Sequence, residues 1–283
     1  MRQADLKIPL NLKQLTGVRP LIMGVINMTP DSFSRDGLHG KSEQVLDCAR
    51  RMLDAGADIL DIGAESSRPG SKPVEPEEER ARLLPALDKI AGLRVPISID
   101  TRRPDIFREA MDYGAVLIND IGGLEDPGFI SILRENEEIM GVVMHKKGLP
   151  ETMQRDPVYH DVVSEVRDYL EKRVRILGEA GVSPDRLILD PGIGFGKTAE
   201  HNFTLLRHMD TFAQMGPLLI GPSRKRFLDG PRHDLSPSER DIPTAAVMAW
   251  ATLNNASLFR THRPDIAVLV RHTIRSIAGA QNG

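Results

Sequence analysis

Eight short runs rich in Val, Ile and Leu, separated by longer charged stretches of helical period, constrain the fold of this chain more than any other feature. The runs are PLIMGVIN (20–27), ADILDIG (57–63), VPISID (95–100), AVLINDI (115–121), IMGVVMH (139–145), RLILDPG (186–192), PLLIGPS (217–223) and ASLFRTH (256–262). Most show little polar alternation, which is the pattern of strands covered on both faces, as in parallel sheets. Between them lie amphipathic segments such as EQVLDCARRMLDAGA and HDVVSEVRDYLEKRVRILGEAG. Several of these end in Gly, as in DAGA, DYGA and EAGV, the signal of a helix C-cap. With a last helical segment over 264–278, the expected architecture is an α/β fold of the (β/α)₈ TIM-barrel type. An open doubly wound sheet is the rival arrangement. The 283 residues read as a single domain with an N-terminal extension over about 1–19. That length is close to the roughly 250 residues a barrel of this kind needs.

Composition narrows the function. The net charge is −3 and Lys and Arg are spread along the chain, so the basic footprint of a nucleic-acid binder is missing. No apolar run approaches the roughly 20 residues of a membrane span. The opening MRQADLKIPLNLKQL has no apolar core of a signal peptide, so a cytoplasmic location is expected. The single cysteine, Cys48, can form neither an internal disulfide nor a CxxC metal site and reads as a small core residue.

Polar residues gather at one end of the strand candidates. Asn27, Asp61, Asp100, Asn119, His145, Asp190, Ser223, Arg260 and His262 all fall at or just after a strand end. In a barrel this is the face that carries the active site. Asp and Asn also begin turns, but a polar group at nearly every strand end exceeds what turn chemistry requires. The loop NMTPDSFSRDG after the first run, with Phe33, suits a segment that covers a substrate. Ser66, Ser67 and Arg68 lie in a Gly/Pro-rich loop after the second run, a reasonable anion site, and the EPEEE that follows reads as a solvated helix start. DPGIGFGKT fails the phosphate-loop pattern G-x-x-x-x-G-K-[ST], because Pro191 stands where the first Gly belongs. Its glycines suit a tight turn or close approach of the backbone to a flat ligand. Metal-ligand spacings such as HExxH and CxxC are missing, and so is a GxSxG elbow.

Taken in order, GVINMTPDSFS, DIGAESSRPG, ISIDTRRP, INDIGG, VMHKKGLPETMQ, LILDPGIGFGKTAEHN, PSRKRF and RTH resemble the dihydropteroate synthase family, from about residue 20 to 262. The resemblance implies condensation of a dihydropterin pyrophosphate with p-aminobenzoate, with Asp100, Lys225, Arg260 and His262 as catalytic residues. It implies pterin contacts from Asp100, Asn119, Asp190 and Lys225. A carboxylate at 190 can accept from the adjacent 2-amino and ring N–H groups of a pterin. Pyrophosphate contacts are implied for Asn27, Ser67, Arg68, Arg260 and His262, and p-aminobenzoate contacts for Phe33, Pro69, Phe195 and Arg226. A Mg²⁺ held in part by Asn27, and a homodimer, belong to the same expectation. The second-strand loop and the eighth strand would be neighbours across the first strand alone.

The mechanism so implied is a loose, dissociative substitution. The anion residues and Mg²⁺ would stabilise the leaving group, and Asp100 and Asp190 the cationic pterin. Rival readings are a non-catalytic pterin-binding paralogue and a methyltetrahydrofolate-dependent methyltransferase barrel. The sequence departs from the family pattern at Ala64, Ser67, Lys146, Arg226 and Arg263. Arg226 takes the place of a Ser associated with the p-aminobenzoate carboxylate. It sits near the expected start of the helix after the seventh strand, where an anion is favoured.

Overall fold

The computed structural model describes residues 19–28, 38–65, 74–148, 152–232 and 234–279. The strands are β1 (Leu21–Asn27), β2 (Ile59–Gly63), β3 (Ile97–Asp100), β4 (Ala115–Asp120), β5 (Met140–Met144), β6 (Leu187–Asp190), β7 (Leu219–Ile220) and β8 (Leu258–Thr261). The helices between and after them are α1 (Leu38–Asp54), α2 (Pro76–Ile90), α3 (Pro104–Ala110), α4 (Pro127–Glu135), α5 (Val162–Glu179), α6 (Ala199–Arg207), α7 (Met209–Ala213), α8 (Asp241–Leu253) and α9 (Pro264–Ile277). The sheet order is β6-β5-β4-β3-β2-β1-β8-β7, with each named pair parallel. A parallel bridge between Leu189 and Leu218 joins the two ends, and the Leu189 N–H donates to Pro217 O at 2.8 Å. The eight strands therefore make a nearly closed TIM barrel ringed by helices, as the alternation of the sequence predicts.

Both faces of each strand are buried, which explains the absence of polar alternation. Ile22, Leu60, Ile118, Leu189 and Phe259 pack outward against the helices. Met23, Ile59, Leu117, Val142, Ile188 and Leu258 fill the barrel interior. Side chains two residues apart share a face. Stepping two residues from Ile59, Leu117, Ile188 and Leu258 reaches Asp61, Asn119, Asp190 and Arg260. The interior thus turns from apolar to polar within one step at the C-terminal mouth.

The helices start and stop where local chemistry directs. Proline opens α2, α3, α4 and α9, where the missing N–H is not needed. Asp161 accepts from Val163 N and Ser164 N at the start of α5, and Gly181 with φ 93° follows its end. Cys48 is half-buried against the core, and burial raises its thiol pKa. Among the described residues no helix is long and apolar enough to cross a membrane.

Two expectations are corrected. The run 217–223 contracts to the two-residue β7, because Pro217 and Pro222 have no N–H to give a ladder. The chain turns there instead, with Lys225 N donating to Pro222 O at 3.2 Å. The EPEEE run is a helix start, but it is not uniformly solvated. The Glu77 side chain is 83% exposed whereas that of Glu79 is 0% exposed. Glu79 accepts from Thr101 Oγ1 at 2.6 Å and pairs with Arg103. It ties the first turn of α2 to the segment after β3. Glu79→Ala should therefore lower unfolding free energy by about 3 kcal/mol, as expected for removing one partner of a buried ion pair. Glu77→Ala should leave the denaturation midpoint in place, and equal urea midpoints for the two variants would contradict this assignment.

Candidate active site

The polar layer at the mouth is one connected network. Asp61 is fully buried. Its Oδ1 accepts from Ser98 Oγ at 2.7 Å and from Asn119 Nδ2 at 3.1 Å. Its Oδ2 accepts from Arg260 Nε at 2.7 Å. Arg260 Nη2 donates to Asp100 Oδ2, also at 2.7 Å. Burial alone would lower the Arg260 pKa, but the adjoining Asp61 and Asp100 charges outweigh it and hold the guanidinium protonated. The register places Asp100 beside Asn119, so strands β2, β3, β4 and β8 all contribute to the cluster.

A second group stands on β6 and the loop after it. Asp190 Oδ1 accepts from Gly192 N at 2.7 Å. Burial pushes the Asp190 carboxyl above its ordinary value, opposed by the Lys225 ammonium and then by the Gly192 N–H. Burial lowers the Lys225 pKa to about 7, against the pull of Asp190. Lys225 donates to Ile193 O, and its Nζ lies 4.3 Å from the centroid of the Phe195 ring. Lys225 crosses the glycine loop at Gly194, where a Cβ would sit 2.7 Å from Lys225 Cδ. The resemblance assigns Asp100, Asn119, Asp190 and Lys225 to the pterin and Phe195 to p-aminobenzoate, and in the structure all five are carried at the same barrel mouth.

The glycine loop itself is packed on backbone. Gly192 has φ 67°, and a Cβ there would lie 1.8 Å from His145 O. The tight-turn reading of DPGIGFGKT therefore accounts for this glycine. Lys197, the lysine of that segment, is buried in its own loop. Its Nζ donates to Gly192 O at 3.0 Å and Phe195 O at 3.1 Å, and lies 3.0 Å from His145 Nδ1. Burial lowers its pKa to about 7. Burial, with Lys197 and Lys147 nearby, lowers the His145 pKa to about 3, so the ring is neutral and can accept from Lys197. Lys197 was not singled out in the sequence; the failure of the phosphate-loop pattern was the signal that it had another task.

At the other side of the mouth, Asn27 ends β1, which separates β2 from β8. The His262 N–H donates to Ser223 Oγ at 3.1 Å, and the same oxygen lies 2.9 Å from His262 Nδ1. Phe33, Ser67, Arg68 and Pro69 lie outside the described residues. Arg260, grouped with the pyrophosphate residues in the sequence, has Nε and Nη2 bound to carboxylates. Nη2 also lies 2.7 Å from Asp61 Oδ2, so the Nη1 group is the part of the guanidinium these contacts leave for a further anion. Arg226 is exposed and opens a 3₁₀ segment, Arg226–Arg232, and the α-helix expected there starts at Asp241. The helix-terminus argument for a carboxylate at Arg226 therefore loses its helix. Arg263 holds Asp265 through two bonds of 2.9 and 2.6 Å and Asp241 at 3.3 Å. Its charge is taken up by the first turns of α8 and α9.

Sequence reading missed the centrality of Asp61, counting it only among strand-end polar residues. The available signal was its parity with Ile59 in ILDIG, which puts a carboxylate inside the barrel. Among the described residues no cluster of three His, Cys, Asp or Glu side chains could hold a metal ion. The one amide oxygen of Asn27 suits only a hard cation whose other ligands are water and substrate oxygens.

Comparison with known proteins agrees with this geometry. Residues 23–262 match the family of pterin binding enzymes. Dihydropteroate synthase from Neisseria meningitidis serogroup C is 44% identical over 248 residues, covering 86% of this chain and 88% of that one. The enzyme of Escherichia coli strain K12 is 40% identical over 245 residues, covering 86% of each. Among solved structures, Yersinia pestis dihydropteroate synthase with a sulfonamide drug complex has TM-score 0.86 and 34% identity, over 96% of this chain and 97% of that one. Burkholderia cenocepacia dihydropteroate synthase complexed with 7,8-dihydropteroate has TM-score 0.82 and 38% identity, over 93% and 92% of the two chains. With a nearly closed barrel whose charged mouth is assembled from the ends of its strands, and with this likeness along most of its length, the chain belongs to the dihydropteroate synthase family.

Proposed function

We propose that the protein is a dihydropteroate synthase, which joins 6-hydroxymethyl-7,8-dihydropterin pyrophosphate to p-aminobenzoate and releases pyrophosphate. The observation that carries this reading is the polar layer at the barrel mouth, where buried carboxylates, an amide and a lysine stand over an apolar floor. Such a site is apolar toward the faces of a flat heterocycle and polar toward its edge. The Burkholderia relative's complex with 7,8-dihydropteroate is a ligand of this class.

In the ring site, Asp190 accepts from the 2-amino and ring N–H pair. Its Oδ1 is already oriented by Gly192 N. Lys225 donates to the ring's carbonyl and nitrogen. Asn119 supplies a donor and an acceptor, and Asp100 accepts. In the reaction the bond from the pterin methylene carbon to the pyrophosphate oxygen breaks, and the amine nitrogen bonds to that carbon and then loses a proton to solvent. The electron-rich pterin spreads the developing positive charge, and Asp100 and Asp190 stabilise it. Asn27, Ser67, Arg68 and His262 bind the departing pyrophosphate, with Arg260 Nη1 at the boundary between the two ends. Asn27 would hold in part a Mg²⁺ brought in by the pyrophosphate, and the ion when bound would offset the charge of the leaving group. Phe33, Pro69, Phe195 and Arg226 face p-aminobenzoate, with Arg226 reaching in from the rim.

The decisive test is incubation with the pterin pyrophosphate, p-aminobenzoate and Mg²⁺, followed for dihydropteroate and pyrophosphate. Pterin binding without product would instead identify a non-catalytic pterin-binding protein. Asp190→Asn turns an acceptor into a donor facing donors, and it should weaken pterin binding by about 10- to 100-fold. Unchanged affinity by calorimetry would remove Asp190 from the ring site. Arg68→Ala and His262→Ala should weaken the pyrophosphate-bearing substrate by about tenfold or more while leaving the pterin alcohol nearly untouched. Arg260→Ala should weaken both ligands, because its carboxylate partners lie at the ring end; a loss confined to the pyrophosphate would reverse that placement.

We also propose a homodimer built on α8 and α9. Ile242, Trp250 and Leu253 on α8 and Leu269 and Ile277 on α9 are exposed, and the two helices pack side by side. Helical spacing gathers each set on one side of its helix, and contiguous exposed apolar surface of this kind marks an association site. Sedimentation should give twice the chain mass of 31.3 kDa, and Leu253→Glu should shift the protein toward monomer. A monomeric wild type at micromolar concentration would exclude this surface as a dimer interface.

A further inference from the structure

Asp61 is fully buried, and its partners Ser98, Asn119 and Arg260 come from three other strands of the barrel. Asn119 Nδ2 faces both of its oxygens, at 3.1 and 3.3 Å. A carboxylate can only accept. The opposite flip of the amide would set Asn119 Oδ1 against two anionic oxygens at the same distances. Asp61 therefore fixes which end of Asn119 is turned away from it, leaving Oδ1 and one N–H for a ligand. By register, Asn119 lies beside Asp100, one step nearer the mouth than Asp61, which lies beside Ser98.

Arg260 is constrained by the same carboxylate. Met23 is in register with both Ile59 and Arg260, so Arg260 starts one step deeper in the barrel than Asp61. Its stem extends toward the mouth, where Nε meets Asp61 and Nη2 meets Asp100. Two anchors on different strands fix the plane of the guanidinium. Ser98 Oγ holds Asp61 Oδ1 in turn. The carboxylate thus has partners on β3, β4 and β8.

We propose that Asp61 is a positioning residue that sets the donor and acceptor pattern of the pterin edge-recognition site by orienting Asn119 and Arg260. The proposal rests on the ring-site reading given above. It adds a requirement on the ligand: the edge facing Asn119 must offer a donor to Oδ1 and an acceptor to the remaining N–H. A ring edge with adjacent donor and acceptor meets it.

The experiment measures binding of 6-hydroxymethylpterin by calorimetry, with the thermal transition of each variant recorded alongside. Asp61→Asn and Asn119→Asp should each weaken binding by about 10- to 100-fold. The double variant Asp61→Asn with Asn119→Asp should recover to within about tenfold of wild type. In the double variant an amide at 61 can donate to a carboxylate at 119, and that carboxylate again presents an acceptor to the ring. A purely structural Asp61 would instead give losses that multiply in the double variant, which would overturn the proposal. So would an Asp61→Asn variant that binds as wild type. If Asp61→Asn does not fold, Ser98→Ala removes one bond to Asp61 while keeping its charge paired. It should weaken binding by about 3- to 10-fold at an unchanged thermal transition, and wild-type affinity there would overturn the proposal. A wild type that binds no pterin overturns the ring-site reading and this inference together, whereas normal binding by wild type, Asp61→Asn and Ser98→Ala, with a loss in Asn119→Asp, removes only the role of Asp61.

Discussion

The ion pairs of Arg260 compensate the carboxylates in the barrel mouth, and the rest of the site depends on them. Asp61 and Asp100 bond to this guanidinium directly, and Asp190 contributes to its electrostatic environment. Buried carboxylates without a cation are strongly unfavourable, and a buried pair is stable only when its remaining lone pairs are satisfied. Ser98, Asn119 and the Gly192 N–H supply those bonds here. An arginine is suited to the task because it stays charged under burial and its planar fork reaches two carboxylates at once. A lysine in the same position would carry a compact charge with no fixed plane. The pairing of Arg260 with Asp61 and Asp100 is therefore in place before any ligand arrives, which is the condition for electrostatic stabilisation without reorganisation.

The two lysines of the site, Lys197 buried and Lys225 half-buried, divide along similar lines. Lys225 lies over Phe195 and beside Asp190. Lys197 is enclosed by backbone carbonyls and the neutral His145. Burial lowers both to about 7, so either can hold or release a proton near neutrality. Lys225 is the less enclosed of the two. Lys197 instead joins the loop after β6 to the end of β5, and so fixes the backbone that carries Phe195 and orients Asp190. Supporting contacts of this kind keep the groups that touch a ligand within narrow geometry.

Much of this was legible in the sequence, and the physical reason is the burial of both strand faces. Eight apolar runs with polar ends specify a parallel barrel with a charged mouth, and the ordered motifs specify the family. Periodicity gives the face on which Asp61 lies, but not its partner. Arg260 is 199 positions away in the chain, and only closure of the barrel brings the two together. The sequence groups Arg260 with the pyrophosphate residues and gives no sign that its Nε and Nη2 are bound to Asp61 and Asp100. Glu79 misled for a related reason. Its neighbours Glu77 and Glu78 follow the solvated, dipole-favoured pattern, and Thr101 and Arg103 reach it from a different βα unit. The short β7 was overread because its apolar composition is that of a strand, while its flanking prolines deny it a ladder.

The departures from the family pattern separate by what surrounds each charge. Arg263 stands where an acidic residue is usual, yet its guanidinium meets Asp265 and Asp241, each in the first turn of a helix. Those carboxylates already favour the positive ends of α8 and α9, and Asp241 also holds Arg224 through bonds of 2.8 and 2.9 Å. The added charge is absorbed at the joint between the two helices without entering the mouth. Arg226 is different, because it is exposed at the rim directly after Lys225. A charge there is screened by solvent, so it attracts a carboxylate weakly until a ligand excludes water around it. The network of Asp61, Asp100, Asn119 and Arg260 is thus held by mutually paired groups and tolerates little change. Arg226 is a solvated side chain, and substitution there leaves that network undisturbed.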